Sequence, residues 1–278
     1  MSAAPANSVH SARSVAVPFS IPERAVYLSS LAVFAAAAVV TLYLTRSMSG
    51  GMPMPGNWTM NMMWMVMPGQ TWLGAALSFV GMWLAMMVAM MLPSSLPMLL
   101  LYRRAAAFRG ETHLGLKTFV LGAGYFFVWL LFGVIAYVAG AAVTQAAMAS
   151  VTVCRVIPLA AGGALVLAGV FQLTPWKSAC LRHCRDPLSL VAHHLHGGWR
   201  GTLGLGIHHG AFCAACCWAL MLIQLVLGVM NLAGMVIVGV VIALEKLIPR
   251  GELVARAAGT ASILGGVALA VGSVMGRP

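Results

Sequence analysis

Acidic residues are scarce in this chain. Asp and Glu number 5 against 16 Lys and Arg in 278 residues, and charged residues make up 8% of the whole. An ordinary soluble domain is about 25% charged. So little charge cannot solvate a globular surface, keep a disordered chain apart or lace a coiled coil, and those three classes are excluded. Sparse carboxylates also leave no paired acid–base machinery and no di-iron carboxylate centre. A Gly-rich phosphate loop is lacking, as is a Ser/His/Asp set at useful spacing, so neither ATP-driven transport nor triad hydrolysis has residues to run on.

Apolar residues fill the space instead, at 61% of the chain, with a mean hydropathy of +0.94. The expected fold is all-α: a polytopic transmembrane helix bundle of about seven spans. They are placed near 27–45, 72–92, 118–143, 156–175, 204–228, 230–247 and 254–275. The second run is expected to continue past Pro93 and Pro97 towards Tyr102. The domain reading is a cytoplasmic tail over 1–26 and one transmembrane helical domain over 27–275, with 27–45 kept as a helix rather than cleaved as a signal.

Charge sets the orientation. Thirteen of the 16 Lys and Arg fall in the tail and in the loops after the second, fourth and sixth spans. Arg46, Arg155 and Arg277 lie on the other side. The bias places the N-terminus inside and the C-terminus outside. The net charge of +11 therefore reads as orientation and contact with anionic lipid, not as nucleic-acid binding.

Methionine is the first unusual feature. Fourteen of the 20 Met lie between Met48 and Met98. The segment from Ser47 to Trp72, expected as an external loop or short re-entrant piece, carries Met48, Met52, Met54, Met60, Met62, Met63, Met65 and Met67. In the following helix Met82, Met86 and Met90 recur every four residues and share a face. Thioether is a soft, neutral ligand that suits Cu(I). Met is also a flexible apolar filler, a reading that serves the helix better than a loop with no core to fill. Interfacial anchoring by Trp58, Trp64 and Trp72 is the other account of the loop.

Cysteine and histidine form the second. Five of the 6 Cys fall within a short stretch at the inner side, where thiols stay reduced, so a disulfide framework is not expected. Cys180, His183 and Cys184 follow the fourth span, and His193, His194 and His196 come next. The fifth span carries His208, His209, Cys213, Cys216 and Cys217. One helical turn separates His209 from Cys213 and Cys213 from Cys217, with Cys213 about 10 Å into the membrane. Intramembrane His is uncommon and usually functional. Thiolate with imidazole is a ligand set for Cu(I), zinc or iron, and Cys213-Ala-Ala-Cys216 is also a CxxC that could serve thiol redox chemistry. Met221 extends the stripe outward. Gln172, Asn231 and Glu245 are the other polar groups in the apolar runs. Glu245, beside Lys246, reads either as an interfacial ion pair or as a charge partner of the Cys/His cluster.

Several stretches resemble one bacterial family. They are Gly69-Gln70-Thr71-Trp72, Met82-Trp83 through Met90-Met91-Leu92-Pro93, Tyr102-Arg103-Arg104 and Gly124 to Trp129. Further on come Gln172 to Lys177, the CxxxC at Cys180, Cys216-Cys217, Gly228 to Asn231 and Glu245 to Pro249. The chain is similar, from about 50 to 260, to the predicted metal-binding integral membrane proteins, a domain of unknown function. The resemblance implies a bacterial inner-membrane protein with a metal site and brings no established reaction. The family often carries a His-Cys or Cys-Cys pair near the positions of His183 and Cys184.

The leading reading is Cu(I) handling, as transport or as delivery to a membrane cuproenzyme. Its path runs from Met60, Met62, Met63 and Met65, along Met82, Met86 and Met90 past Met221, to the Cys/His cluster. Its partners are the lipid bilayer and a membrane cuproenzyme or periplasmic metallochaperone, with no nucleic acid; the pattern fixes no oligomeric state. The rival readings are a membrane thiol or metal-dependent oxidoreductase and an accessory subunit whose Cys and Met only pack.

Overall fold

The computed structural model describes residues 21–47, 50–56, 58–67, 69–186, 191 and 198–275, with the side chains of 21–23 left aside. Met48, His193, His194 and His196 lie outside the described residues. Eight helices are present among them: α1 Ile21–Ser47, α2 Trp72–Phe108, α3 Leu114–Ala149, α4 Val151–Leu173, α5 Pro175–Arg185, α6 Gly198–Leu227, α7 Leu232–Leu247 and α8 Gly251–Met275. The all-α expectation holds. Side chains that satisfy the first free N–H groups start several of these helices. Thr71 Oγ1 accepts from Gly74 N at 3.1 Å, and Asn231 Oδ1 from Gly234 N at 3.0 Å. Thr174 caps α5 with Pro175 at its first position, which is why the chain breaks there and restarts. Pro93 and Pro97 sit inside α2, which runs on beyond Tyr102 to Phe108.

Six of the described helices are long and apolar enough to cross a membrane: α1 to α4, α6 and α8. Their outward faces expose Leu31, Val39, Ile135, Leu167 and Leu264, a surface suited to lipid rather than water. The sixth expected span, 230–247, is shorter than a full crossing. α7 has 16 residues, about 24 Å against a hydrocarbon core of about 30 Å. It starts late because Gly228 turns with φ +104° and Asn231 caps. At its other end Glu245 is drawn inward, and Pro249 follows two residues after the helix.

α7 still returns the chain along the bundle. It lies antiparallel to α6 and parallel to α2, with Met90 against Gly239. α2 and α3 pack antiparallel: Trp83 Nε1 donates to the Trp129 carbonyl at 3.0 Å, and Phe79 meets Tyr137 at a ring separation of 5.2 Å. α3 and α6 run parallel and close, with Gly206 against Leu121 and Gly210 against Tyr125. α4 and α8 form an antiparallel seam in which Gly162 faces Gly266 and Gly169 faces Gly259, while Ser262 Oγ donates to the Leu165 carbonyl at 2.7 Å.

The segment between α1 and α2 is not a simple loop. Gly51–Met54 (β1) and Trp58–Asn61 (β2) form an antiparallel hairpin with Met52 opposite Met60, followed by a 3-10 turn at Met62–Trp64. Gly56 makes the turn with φ +100°. The hairpin packs on the α3–α4 corner, where Trp58 Nε1 donates to the Cys154 carbonyl at 3.1 Å. This corrects the expectation that the segment has no core to fill: Met60 and Met63 are both buried.

The α4–α8 seam should be intolerant of bulk. A Cβ on Gly169 would meet the Gly259 carbonyl oxygen at 2.5 Å, whereas one on Gly163 meets nothing within 4 Å. Gly169→Ala is expected to cost about 1–3 kcal/mol and Gly163→Ala to leave stability unchanged, as read by denaturation in detergent micelles.

Candidate metal centre

The centre forms where α5 and the end of α7 meet the middle of α6. Position within α6 decides which groups arrive. Cys213, Cys216 and Cys217 lie on its buried face, none measurably exposed. Cys184 comes from α5, and its Sγ stands 3.7 Å from Cys216 Sγ, which stands 3.4 Å from Cys217 Sγ. Sulfurs at such spacing can share one ion through bonds of about 2.3 Å. Cys180 packs at the edge of the same cluster. All six cysteines are free thiols.

Cys213 faces differently. Lys246 Nζ approaches its Sγ at 2.7 Å and Tyr125 Oη at 2.9 Å. An ammonium can only donate, so the sulfur is the acceptor. Cys216 Sγ in turn donates to the Cys213 carbonyl at 3.2 Å.

A buried ion pair supports the thiols from below. Lys177 Nζ donates to Glu245 Oε2 at 2.6 Å and to the Cys216 carbonyl at 2.7 Å, and Gln172 Nε2 donates to Glu245 Oε1 at 3.0 Å. Both charged side chains are 1% exposed. Burial on its own would lower the Lys177 pKa, but the neighbouring Cys217 and Glu245 raise it above the ordinary lysine value. Glu245 therefore pairs with Lys177 rather than with its chain neighbour Lys246, and it touches the cysteine helix through that lysine. Adjacent residues on a helix point about 100° apart, which separates the two partners.

The histidines divide. His209 is buried and stacked on Tyr125 at 5.3 Å. His183 and His208 meet at 5.6 Å around Phe212, which lies 3.9 Å from His183 and 4.8 Å from His208. Among the described residues His183 Nε2 has no hydrogen-bond partner. No group of three or more His, Cys, Asp or Glu side chains among the described residues stands in metal-holding geometry. The sulfurs come as overlapping pairs, with the imidazoles beside them.

The methionines are sorted by the fold. Met63, Met82, Met86, Met87, Met90, Met91 and Met221 belong to one buried cluster with Cys213, Cys216 and Cys217. Met60 instead joins Cys154 under the hairpin, with Met65 packed against that group; Met62 is half-buried. Asn231 caps α7, and Gln224, on the buried stripe of α6, donates to the Gly228 carbonyl at 3.0 Å. Sequence reasoning missed Lys177, Lys246 and Tyr125. The two lysines were counted among the loop cations; Lys246 adjoins Glu245 at the end of an apolar run and Lys177 stands three residues before Cys180, and those neighbours were the available signal.

The chain belongs to the PpoB2 family, described as copper chaperone, with a match over residues 80–269, more than half of its length. The matched range takes in α5, α6 and α7. This supports a copper-related family rather than the broader metal-binding description that the sequence resemblance implied. No curated protein and no solved structure matches the chain.

Breaking the ion pair should be costly and repairing it cheap. Lys177→Met leaves Glu245 buried without its cation and is expected to cost about 3–5 kcal/mol, most of it recovered in Lys177→Met/Glu245→Leu. The comparison is read from unfolding midpoints of the purified protein.

Proposed function

We propose that this protein is a bacterial inner-membrane Cu(I) carrier that receives the ion on thioethers, holds it on thiolates and gives it to a membrane cuproenzyme or a periplasmic metallochaperone. The observation that carries the reading is continuity. One buried cluster contains Met63, the Met82/Met86/Met90 face, Met221 and the three α6 cysteines, with Cys180 and Cys184 packed at its edge. Thioether and thiolate are both soft ligands, and thiolate adds a charge, so binding tightens along the cluster.

The ligand arrangement favours copper over zinc. A structural zinc site takes four ligands in a tetrahedron. Here sulfur pairs, Cys184 with Cys216 and Cys216 with Cys217, meet at 3.7 and 3.4 Å, and Lys246 supplies a positive charge beside Cys213. That lysine offsets thiolate charge that a monovalent ion leaves uncompensated. His183 and His208, at the rim around Phe212, are placed to take part in transfer rather than in holding.

The Met segment contributes through fewer residues than its length suggests. Met63 is the member that joins the main cluster. Met60, Met62 and Met65 serve the hairpin and its contact with α4.

The test is elemental analysis of anaerobically purified protein beside a Cys184→Ser/Cys216→Ser/Cys217→Ser variant. The expected result is about one copper per chain, lost in the variant. Zinc or iron at that stoichiometry would move the assignment to a structural site or an oxidoreductase, and equal, near-zero metal in both after Cu(I) loading would overturn it. In cells, Met63→Leu should raise the copper concentration needed to fill the partner enzyme, while Met62→Leu should not. Equal behaviour of the two would remove the Met63 entry step.

A further inference from the structure

A cavity of about 360 Å³ lies between α1, α2 and α7. Met86 and Met90 reach its wall from α2, Met235 from α7 and Thr41 from α1. The three methionines are buried, and they belong to the cluster that contains the cysteines. Met86 and Met90 stand one helical turn apart. Met235 brings a third sulfur from a different helix, and it lies outside every pattern read from the sequence. α7 approaches α2 at Gly239, where a Cβ would make an ordinary van der Waals contact with Met90 Cγ at 3.5 Å.

Thr41 is the second observation. The residue is 6% exposed, and among the described residues its Oγ1 has no hydrogen-bond partner. A buried hydroxyl without a partner carries a desolvation cost of about 1–3 kcal/mol. Nearby, Pro93 on the same wall has no N–H to give, so the Ala89 carbonyl lacks its usual helical donor. An apolar cavity is thus lined by three methionines and one unpartnered hydroxyl, and no ionisable group lines it.

We propose that this cavity is a second site for one soft monovalent cation, held by the sulfurs of Met86, Met90 and Met235 with Thr41 as its polar contact. The inference rests on the Cu(I) reading above and supplies the station between entry and the thiols. Neutral ligands leave the ion's whole charge in a low-dielectric place. The cost of that burial grows with the square of the charge, so a divalent ion is rejected about fourfold more strongly than a monovalent one. The same neutrality makes the hold weaker than that of the thiolates, and the ion moves on to them.

The experiment uses Ag(I), a redox-inert stand-in for Cu(I), on the full chain in detergent with Cys154, Cys180, Cys184, Cys213, Cys216 and Cys217 all changed to Ser. About one Ag(I) per chain should remain, on sulfur scatterers by X-ray absorption. Adding Met86→Leu, Met90→Leu and Met235→Leu, which conserve volume, should weaken it by more than about 100-fold, since even partners outside a ligand shell cost about 10–100-fold. Met230→Leu, buried but off the cavity wall, should not. Should the Ser variant fail to fold, Gly239→Leu in the otherwise native chain fills the cavity and should lower Ag(I) capacity by about one ion while the thiolate-bound ion stays. No sulfur-bound Ag(I) in a folded Cys-free chain overturns the proposal. So does equal binding with and without the three methionines, including the case where copurified lipid fills the cavity in both. Loss of the thiol-bound ion from the native chain would instead refute the carrier reading, and the Cys-free measurement stands apart from that outcome.

Discussion

The Lys177–Glu245 pair is the constraint around which α4, α5, α6 and α7 are arranged. Two opposite charges sit 2.6 Å apart with 1% exposure each, and neither can be left without the other. Lys177 comes from α5, Glu245 from α7, the carbonyl that Lys177 also meets from α6, and the Gln172 amide from α4. Four helices are therefore brought into register by one desolvated contact. That register sets the distance between Cys184 on α5 and Cys216 on α6, and it leaves Lys246, the next residue of α7, turned towards Cys213.

Around this point the bundle uses two kinds of packing. The α4–α8 seam is built from glycine against glycine, backbone against backbone. The α2–α3–α6 core is built from large rings and thioethers, with Trp83, Trp129 and Phe79 almost fully buried beside the methionines. Thioether is both a good space filler and a soft ligand, so the same residues can seal the core and carry an ion. A path through flexible unbranched side chains needs no water-filled pore.

Much of the fold was legible because membrane helices announce themselves by long apolar runs. The cysteines of α6 were legible too, since spacing of three and four residues places them on one face. The Met segment was misread because local Gly and Pro signals mark turns without saying what the turns pack against. Met60 found a partner in Cys154, far along the chain, and no local pattern carries that contact. Lys177 and Lys246 were hidden for a related reason: a cation near a helix end looks the same in sequence whether it meets lipid headgroups or turns inward. Met235 lacked any repeat to flag it and gained meaning from its neighbours across the helix pair.

The shortness of α7 has a consequence for the surrounding lipid. A helix of about 24 Å beside neighbours of full length produces hydrophobic mismatch on one side of the bundle. Lysines at helix ends commonly relieve mismatch by snorkelling to the headgroups, but Lys246 points at Cys213 and is not available for that. Thinning of the bilayer along this flank is one way to meet such a mismatch. A thinner bilayer on this flank would bring headgroups and water nearer to the depth of Lys246 and Cys213.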